Sequence, residues 1–505
     1  MPESPRHAYD ELIRRVRETA LLGSCAGVLH WDRETCMPRK GAEHRASQLA
    51  LLAGMTHAQF TDPRIGELLA AVEGTDVVAD PLSDAAVNVR ELRRSYDRAT
   101  RLPRDLVEEL ARVTSLAHGE WVEARKRSDF GRFRPWLERV VALKIREADC
   151  YGHSGNRYDA LLEDYEPGAT TAWIAGVLGP LRDELVKLLD AIRGASRRPD
   201  VAILARSYPL PQQEMFGRVA AAAIGFDFEA GRLDTVAHPF CSGLGPGDTR
   251  LTTRYNEHDF GDAFFSILHE AGHGLYDQGL PAEHWGTPRG DCASLGIHES
   301  QSRMWENLVA RSQAFWRHFF PIARQFFPAA LADVSLDAFH FAINDVRPSF
   351  IRVDADEVTY NLHIVLRFEL EQALLSGDLP VADLPAAWNE RFARLFGITP
   401  PDDAQGCLQD THWSGGGIGY FPTYTLGNLN AAQLFDAAKR AMPDLEEQFA
   451  RGHFADLLGW LRTNIHQQGM RHRAPKLIEA VTGRPLSHEP LMAHLRGKFG
   501  ALYAL

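Results

Sequence analysis

The sequence predicts a large, mainly α-helical fold that contains one small antiparallel β-sheet. Most of the 505 residues show apolar side chains three and four positions apart with charged residues between them, the spacing of helices that bury one face. Proline and glycine fall between these stretches, and no low-complexity linker or repeat of fixed period separates them. Only one region alternates and turns as strands do.

Eight stretches carry the helical spacing. In chain order they are residues 7–30, 43–56, 83–128, 132–150, 170–195, 300–328, 356–376 and 431–464. The strand-like region is Phe226–Tyr255, where hairpin turns are expected at Gly231, Gly243, Gly245 and Pro246. The small sheet is therefore expected to lead directly into the next segment, which carries the clearest chemical pattern.

Composition excludes several classes of protein. The formal net charge of −12 argues against a nucleic-acid partner, because such a protein needs a basic face against the phosphates. No run of about 18 apolar residues is present, so no membrane span is expected. The first residues lack the apolar core of a secretory signal, and the six cysteines form no C-x-x-C pair. We expect a cytoplasmic protein whose metal ligands, if any, are nitrogen and oxygen.

A metal-binding pattern lies within residues 261–279. His269 and His273 are slightly more than one helical turn apart, so both rings project from one face and can share a cation. Glu270, beside the first histidine, can take a proton from a water on that cation and deliver it to a leaving amine. The H-E-x-x-H pattern is typical of zinc peptidases, and its helical context favours that function over a chance match.

Three glycines belong to the same segment. Gly279 is a plausible end of the helix. Gly272 and Gly274 each cost a helix about 1 kcal/mol relative to alanine, so their presence indicates a close approach of another backbone.

A third protein ligand has to come from elsewhere in the chain. A histidine six residues after His273 is excluded, because that position is Gly279. Glu283 follows a Gly-Leu-Pro turn too closely to fold back easily. Glu299 begins a helical stretch that could pack antiparallel to the first helix, and Glu306 lies two turns further on the same face. That position would let Glu306 hydrogen-bond a ligand histidine, although an exposed surface glutamate is an equal alternative. The carboxylate candidates are Glu283, Asp291, Glu299 and Glu306.

The chain closely resembles the carboxypeptidase Taq family, thermostable metallocarboxypeptidases with the H-E-x-x-H motif. The resemblance extends from about residue 30 to residue 430 and rests on motifs in the same order. They are Trp31–Pro38, His238-Pro239-Phe240, Asp248-x-Arg250-x-Thr252, His269–His273, His298–Gln301, Ile351-Arg352-x-x-Ala355-Asp356 and Gly406-x-x-Gln409-Asp410-x-His412-Trp413.

The resemblance implies a fold and a set of residue roles. The fold is a helical, saddle-like subunit with a deep central groove, similar to neurolysin and thimet oligopeptidase. His269, His273 and Glu299 would hold one zinc ion per subunit, with cobalt as an alternative, and Glu270 would act as general base and acid. Family members are typically homodimers that remove C-terminal residues from peptides with broad preference. Motifs spread over residues 238–420 favour a single catalytic domain over residues 1–505.

An enzyme acting at a C-terminus needs a cation for the substrate carboxylate. Arginine suits that role because its planar fork binds carboxylates through two hydrogen bonds. Arg352 is the first candidate, with Arg250 and Arg347 as alternatives. Because 48 of the 55 basic residues are arginines, each could instead form a structural ion pair.

The remaining candidates are an oxyanion donor and two histidines. Tyr420 follows a glycine-rich loop whose freedom would let a substrate approach closely, so its phenol could donate to the oxyanion of the tetrahedral intermediate. A buried tyrosine with a satisfied hydroxyl is the alternative. His238 and His412 are candidate substrate contacts, each equally consistent with a structural role.

Two other functions remain open at this point. An oligo-endopeptidase on the same scaffold would cleave internal bonds, and a helical scaffold protein would carry the H-E-x-x-H pattern incidentally. The leading prediction is a metal-dependent carboxypeptidase.

Overall fold

The computed structural model describes residues 4–505 and is mainly helical, which confirms the predicted fold class. Three strands form its sheet: β1 (Gly231–Thr235), β2 (Cys241–Gly245) and β3 (Asp248–Thr253). The helices are α1 (Pro5–Thr35), α2 (Ala42–Phe60), α3 (Pro63–Val72), α4 (Asp84–Arg101), α5 (Arg104–Arg127), α6 (Phe130–Tyr151), α7 (Arg157–Leu162), α8 (Thr171–Gly194), α9 (Leu210–Ala223), α10 (Phe260–Asp277), α11 (Leu295–Arg303), α12 (Gln313–Phe326), α13 (Pro328–Leu331), α14 (Leu336–Ala342), α15 (Thr359–Ser376), α16 (Leu384–Phe396), α17 (Pro422–Ala441), α18 (Leu445–Ala450), α19 (Ala455–Asn464), α20 (Ala474–Thr482) and α21 (Glu489–Tyr503).

These elements form two compact units. The first unit comprises the described part of Met1–Thr100 together with Asp200–Ile343 and Leu434–Arg484. The second unit comprises Arg101–Pro199, Asn344–Gln433 and Pro485–Leu505. The chain passes between them several times, and a single catalytic domain over residues 1–505 stays a prediction. Within residues 4–505 no helix is both long and apolar enough to cross a bilayer.

Two long helical stretches are interrupted, one at Pro103, as expected for a proline between helical segments, and one where the sequence predicted continuity. Within the stretch 83–128, α4 ends at Arg101 and α5 begins at Arg104. Pro103 separates them, because proline has no backbone N–H to donate and disfavours a helical conformation of the residue before it. The stretch 300–328 contains a π-helix, Met304–Ala310, which continues α11 before the chain turns into α12. The wider turn of a π-helix changes the direction in which its side chains project.

The sheet is mixed rather than wholly antiparallel. Its strand order is β1-β3-β2, with β2 and β3 antiparallel and β1 parallel to β3. The expected hairpin forms only between β2 and β3, where Gly245 and Gly247 have φ values of 153° and 81°. Residues 236–240 connect β1 to β2, which lies on the far side of β3 rather than beside β1. The chain then turns back into β3, which therefore runs parallel to β1.

An aromatic cluster anchors α10 in the first unit. The ring of Phe264 stacks on Phe216 with centroids 5.0 Å apart, and on Phe260 at 5.4 Å. Trp316 of α12 lies against the same ring at 5.2 Å. Buried aromatic side chains remove large apolar areas from water, so this packing fixes the rotation of α10 and leaves its histidine-bearing face for the site.

A close backbone contact sets the position of α11 against α10. A Cβ atom at Gly272 would lie 2.6 Å from both the carbonyl oxygen of Gln301 and the Cα of Ser302. Gly274 leaves similar room for the side chains of Phe226 and Leu251, at 2.6 and 3.0 Å. Gly272 therefore permits the close backbone approach that the sequence indicated, whereas Gly274 makes room for side chains.

In the second unit, α15 is the central helix. Its apolar residues are buried on every side, as in a helix that packs against neighbours all round. Just before this helix, Asp356 accepts hydrogen bonds from the backbone N–H groups of Val358 and Thr359, both at 2.9 Å. The motif Ile351–Asp356 therefore ends in the turn that leads into α15.

We expect Gly272→Ala to destabilise the first unit. The added methyl group meets backbone atoms, which cannot rotate away, and overpacking of this kind costs about 1–3 kcal/mol. The free energy of unfolding in urea measures the loss.

Gly54→Ala in α2 is the matched control, because a Cβ there meets nothing within 4 Å. This variant should keep or raise the stability by up to about 1 kcal/mol, since alanine is the better helix former. Equal effects of the two substitutions would contradict the packing argument.

Candidate metal centre and active site

Helix α10 presents the two histidines side by side. It begins at Asp259, whose carboxylate accepts hydrogen bonds from the N–H groups of Gly261 and Asp262 at 3.0 and 3.1 Å. About three and four turns later come His269 and His273, with ring centroids 4.9 Å apart and an interplanar angle of 81°. The rings share one face of the helix, as their spacing predicted.

Glu299 of α11 completes a three-residue cluster with the histidines. Its Oε2 lies 3.4 Å from Nε2 of His273 and 3.7 Å from Nε2 of His269. All three ligand atoms fall within 4.8 Å of one another. A tetrahedral cation with ligand bonds of about 2.0–2.2 Å separates its ligands by roughly 3.4 Å, so the two imidazoles and the carboxylate fit such an ion.

Arg303 holds the far side of the Glu299 carboxylate. Its Nε donates to Oε1 of Glu299 at 2.6 Å, which leaves Oε2 directed at the histidines. Burial opposes ionisation, but Arg303 and the two imidazoles hold the pKa of Glu299 well below its usual range. The glutamate is therefore ionised, with one oxygen available to a cation.

Glu306 makes the hydrogen bond to His269 that was one of its two expected roles. Its Oε2 accepts from Nδ1 of His269 at 2.8 Å, and the π-helix carries it into that position. Burial again opposes ionisation, yet Arg303 and His269 lower the pKa of Glu306 to about 2. With Nδ1 donating to a carboxylate, the lone pair of His269 Nε2 faces the cluster.

Glu270 differs from its two carboxylate neighbours. It is 6% exposed and follows His269 directly on α10. Burial, helped by the negative charges of Glu299 and Glu306 and opposed by His269, raises the pKa of Glu270 to about 7. A carboxyl group with this pKa can accept and release a proton near neutral pH.

The motif around β3 supports the segment that carries His238. Thr252 exchanges hydrogen bonds with the backbone N–H and C=O groups of Phe240, both at 2.8 Å. Arg250 forms a double hydrogen bond with Asp248, at 2.8 Å each, and lies over the Trp31 ring at 4.4 Å. His238 is exposed beside this braced segment.

In the second unit, Arg352 belongs to a buried ion cluster. Asp410 accepts from Nε and Nη2 of Arg352 at 3.1 and 2.8 Å through Oδ1, and from Nε of Arg367 at 2.7 Å through Oδ2. Nη1 of Arg352 donates to the hydroxyl of Tyr360 at 2.9 Å. Two guanidinium groups hold the pKa of the one carboxylate well below its usual range. Arg347, the remaining arginine candidate, is paired with Asp345.

His412 and Tyr420 lie together in the second unit. Their rings are 5.3 Å apart, and Nε2 of His412 lies 3.2 Å from the hydroxyl of Tyr424. Burial, with a contribution from the nearby arginines, lowers the pKa of His412 to about 4, so the ring is neutral at physiological pH.

Glu371 anchors the glycine-rich loop on both sides. It accepts from Nε1 of Trp413 at 2.8 Å and from the N–H of Gly419 at 3.1 Å. Its third donor is the hydroxyl of Tyr158, at 2.6 Å. The loop that precedes Tyr420 is therefore fixed at its two ends by one buried carboxylate.

Sequence reasoning missed three groups around the first-unit cluster. Arg303 lies four residues after Glu299 and three before Glu306, and this helical spacing was a usable signal. His298 contacts His273, and Asp277 contacts His298. The sequence placed His298 next to Glu299, but its contact with His273 depends on how α11 packs against α10.

We expect Asp410→Asn to destabilise the second unit at pH 7 by about 3–5 kcal/mol, because two buried guanidiniums lose their counter-charge. The folded-state pKa of Asp410 is depressed, so its stabilisation is complete above the unfolded pKa of about 4 and is lost as the pH falls below it. Urea unfolding at pH 7 and at pH 3.5 should show the gap between variant and wild type narrowing at the lower pH. Asp190→Asn, at an exposed position, is the control and should leave the free energy of unfolding unchanged at both pH values. A difference between Asp410→Asn and wild type that does not depend on pH would contradict the ionic origin.

Comparison with known proteins gives a consistent result over the whole chain. The family model for carboxypeptidase Taq (M32) metallopeptidase matches residues 11–499. Thermostable carboxypeptidase 1 of Thermus thermophilus is 52% identical over 509 residues, which cover 99% of this chain and 100% of the relative. Carboxypeptidase 1 of Bacillus subtilis is 35% identical over 504 residues, or 99% of each chain.

Comparison with a solved structure supports the same family. The crystal structure of the M32 carboxypeptidase from Deinococcus radiodurans R1 matches with a TM-score of 0.95 at 42% identity, covering 99% of this chain and 100% of that chain. The family and the named relatives support a carboxypeptidase and not the oligo-endopeptidase alternative. The chain belongs to the carboxypeptidase Taq (M32) metallopeptidase family and is a metal-dependent carboxypeptidase.

Proposed function

We propose that His269, His273 and Glu299 hold one zinc ion per subunit and that the enzyme removes C-terminal residues from peptides with broad preference. The observation that carries this proposal is the cluster itself, in which two Nε2 atoms face one carboxylate oxygen. Two imidazoles and a carboxylate are a common donor set of catalytic zinc, which leaves a further position for water or substrate. Cobalt accepts similar ligands and is the alternative metal.

Glu270 is the proposed general base and acid. The bound cation would supply Lewis acidity, polarising the scissile carbonyl and lowering the pKa of water. Glu270 would take the proton from that water and pass it to the nitrogen of the departing residue. Its pKa of about 7, raised by burial, supports this role because both protonation states are accessible at neutral pH.

Arg352 is the proposed receptor for the substrate C-terminus. Arg352, Arg367 and Asp410 together carry a net charge of +1, because one carboxylate is shared by two guanidiniums. His412 adds no charge when neutral. A buried net positive charge attracts an anion strongly, since the interior screens charge less than water does. Arg250 pairs with Asp248 alone, which leaves a neutral pair and makes it the weaker candidate.

Tyr420 is the proposed donor to the oxyanion, and His238 and His412 are proposed to contact the substrate. The anchoring of the loop before Tyr420 by Glu371 supports a fixed phenol position, which electrostatic stabilisation of an oxyanion requires. The exposure of His238 and the neutral state of His412 suit hydrogen bonding to peptide groups.

We also propose that the enzyme is a cytoplasmic homodimer. The six cysteines are unpaired, which suits a reducing compartment. Homodimers are typical of the family that the sequence resembles. In support, Leu51 and Met55 of α2, one helical turn apart, are 65% and 42% exposed and could be covered by a second subunit.

Replacement of Glu270 tests the proposed reaction. Glu270→Gln keeps the size of the side chain but cannot take a proton, so kcat/KM should fall by about 10²–10⁴-fold. Bound zinc, measured by elemental analysis, should stay at one ion per subunit because Glu270 is not a proposed ligand. Mass spectrometry of wild-type products should show single residues leaving a free C-terminus, with little cleavage of the amidated peptide and none in the presence of a chelator.

Glu283→Gln is the matched control, since Glu283 is an exposed carboxylate just beyond the same helix. It should retain wild-type kcat/KM. Wild-type activity in Glu270→Gln, or release of internal fragments from the amidated peptide at a comparable rate, would contradict the proposal.

Arg352→Gln and Arg250→Gln separate the two candidate receptors. Loss of a hydrogen bond to a charged group is worth about 1.5–3 kcal/mol, so the first variant should raise KM by roughly 10- to 100-fold. Arg250→Gln should raise KM less, because that arginine is already neutralised by Asp248. A larger rise in KM for Arg250→Gln would transfer the role to Arg250. Melting temperatures of both variants separate lost binding from lost stability.

A further inference from the structure

His298 lies between the proposed metal ligand His273 and the carboxylate of Asp277. Its Nδ1 is 2.6 Å from Nδ1 of His273, and its Nε2 is 3.0 Å from Oδ1 of Asp277. The two imidazole rings are 4.6 Å apart between centroids. One ring thus connects a histidine of α10 with an aspartate one turn later on the same helix.

The hydrogen bonds allow one arrangement of protons when His273 offers Nε2 to a cation. A ring nitrogen that binds a metal carries no hydrogen, so the hydrogen of neutral His273 sits on Nδ1. That N–H can donate only to His298 Nδ1, which therefore carries no hydrogen. The hydrogen of His298 is then on Nε2 and is donated to Asp277, whose carboxylate can only accept.

The surroundings fix His298 and Asp277 in these positions. The Tyr276 ring lies 5.2 Å from the ring of His298. On the other side β2 approaches so closely that a Cβ at Gly243 would lie 2.6 Å from Oδ2 of Asp277. Sγ of Cys241, also on β2, is 3.8 Å from the same oxygen. The absence of a side chain at Gly243 leaves the space that the carboxylate occupies.

The two ligand histidines are therefore oriented in different ways. His269 donates directly to Glu306, at 2.8 Å. The Nδ1 atom of His273 instead contacts the imidazole of His298, which in turn contacts the carboxylate of Asp277. Partners of this kind fix the tautomer of a ligand histidine and increase its basicity.

We propose that His298 and Asp277 are positioning residues for the metal centre, acting through His273 as a histidine–aspartate relay. The inference rests on the proposed use of His273 as a ligand. It assigns a role to His298, the first residue of the motif His298–Gln301. His298 is next to Glu299 on α11 but contacts His273 on α10. The relay also explains why Gly243 has no side chain where β2 passes Asp277.

Zinc affinity measured on the full-length protein tests the relay. His298→Leu removes the acceptor for His273 Nδ1 and should raise the zinc Kd by about 10–100-fold, the usual effect of losing such a partner. His298→Asn keeps an oxygen near the position of Nδ1 and should recover part of the affinity. Asp277→Asn keeps the shape but loses the charge, and should raise the Kd less than His298→Leu. Competition with a chromogenic chelator gives each Kd, and the visible spectrum of the cobalt-loaded protein reports the ligand geometry.

His466→Gln is the control for disturbed packing. His466 lies 5.0 Å from the other side of the Tyr276 ring and hydrogen-bonds Gln301, without an observed contact to a ligand histidine. Its zinc Kd and cobalt spectrum should match wild type.

Three results would overturn the relay. They are an unchanged Kd and spectrum in His298→Leu, an equal rise in Kd in His466→Gln, and no recovery in His298→Asn while Asp277→Asn behaves as wild type. Each leaves the proposed function intact if wild type binds zinc and hydrolyses peptides. Failure of wild type to bind zinc would instead overturn the proposed function and the relay together.

Discussion

The close contact between α10 and α11 is the constraint on which the metal centre depends. At Gly272 the two helices approach so closely that a single methyl group would meet the backbone of Gln301 and Ser302. This contact brings Glu299 to 3.4 Å from His273. The residues that follow Glu299 continue in the same helical segment, so the position of that one contact also places the arginine and the second carboxylate that support the cluster.

The two units neutralise their buried charges to different extents. In the first, Arg303 is shared by the carboxylates of Glu299 and Glu306, and Arg311 lies 3.7 Å from Glu306, so two guanidiniums balance these two carboxylates. In the second, Asp410 is shared by Arg352 and Arg367, which leaves an excess of positive charge. Since buried charges are poorly screened, the second arrangement favours an anion, whereas the first leaves one oxygen of Glu299 facing the two histidines.

The features that could be predicted from the sequence depend on the spacing of residues within a single helix. The apolar periodicity identified most long helices, and the four-residue separation of His269 and His273 placed both rings on one face. The same reasoning overlooked the π-helix at Met304–Ala310, because no local signal distinguishes a wider turn from an α-helix. It also missed the parallel pairing of β1 with β3, which depends on where the chain crosses after β1.

Contacts between distant segments were beyond such reasoning. Arg352 was selected for its motif, but its partner Asp410 is 58 residues away and only folding brings the two together. The link from His273 to His298 is similar, because it depends on the rotation of α11 about its axis. Glu306 was within reach of prediction, since a seven-residue separation from Glu299 keeps both side chains on one face of a helix.

The three glutamates at the metal centre show how position on the same pair of helices separates their chemistry. Glu299 is as buried as Glu270 and Glu306 is slightly more exposed, but Arg303 compensates both and lowers their pKa values, to about 2 for Glu306. Glu270 has no such compensation from Arg303, and burial raises its pKa to about 7. Two carboxylates are thus permanently charged and can hold a cation and its ligands, while the third can gain and lose a proton near neutral pH. Divergent pKa values of neighbouring carboxylates are the physical basis for assigning one of them to proton transfer.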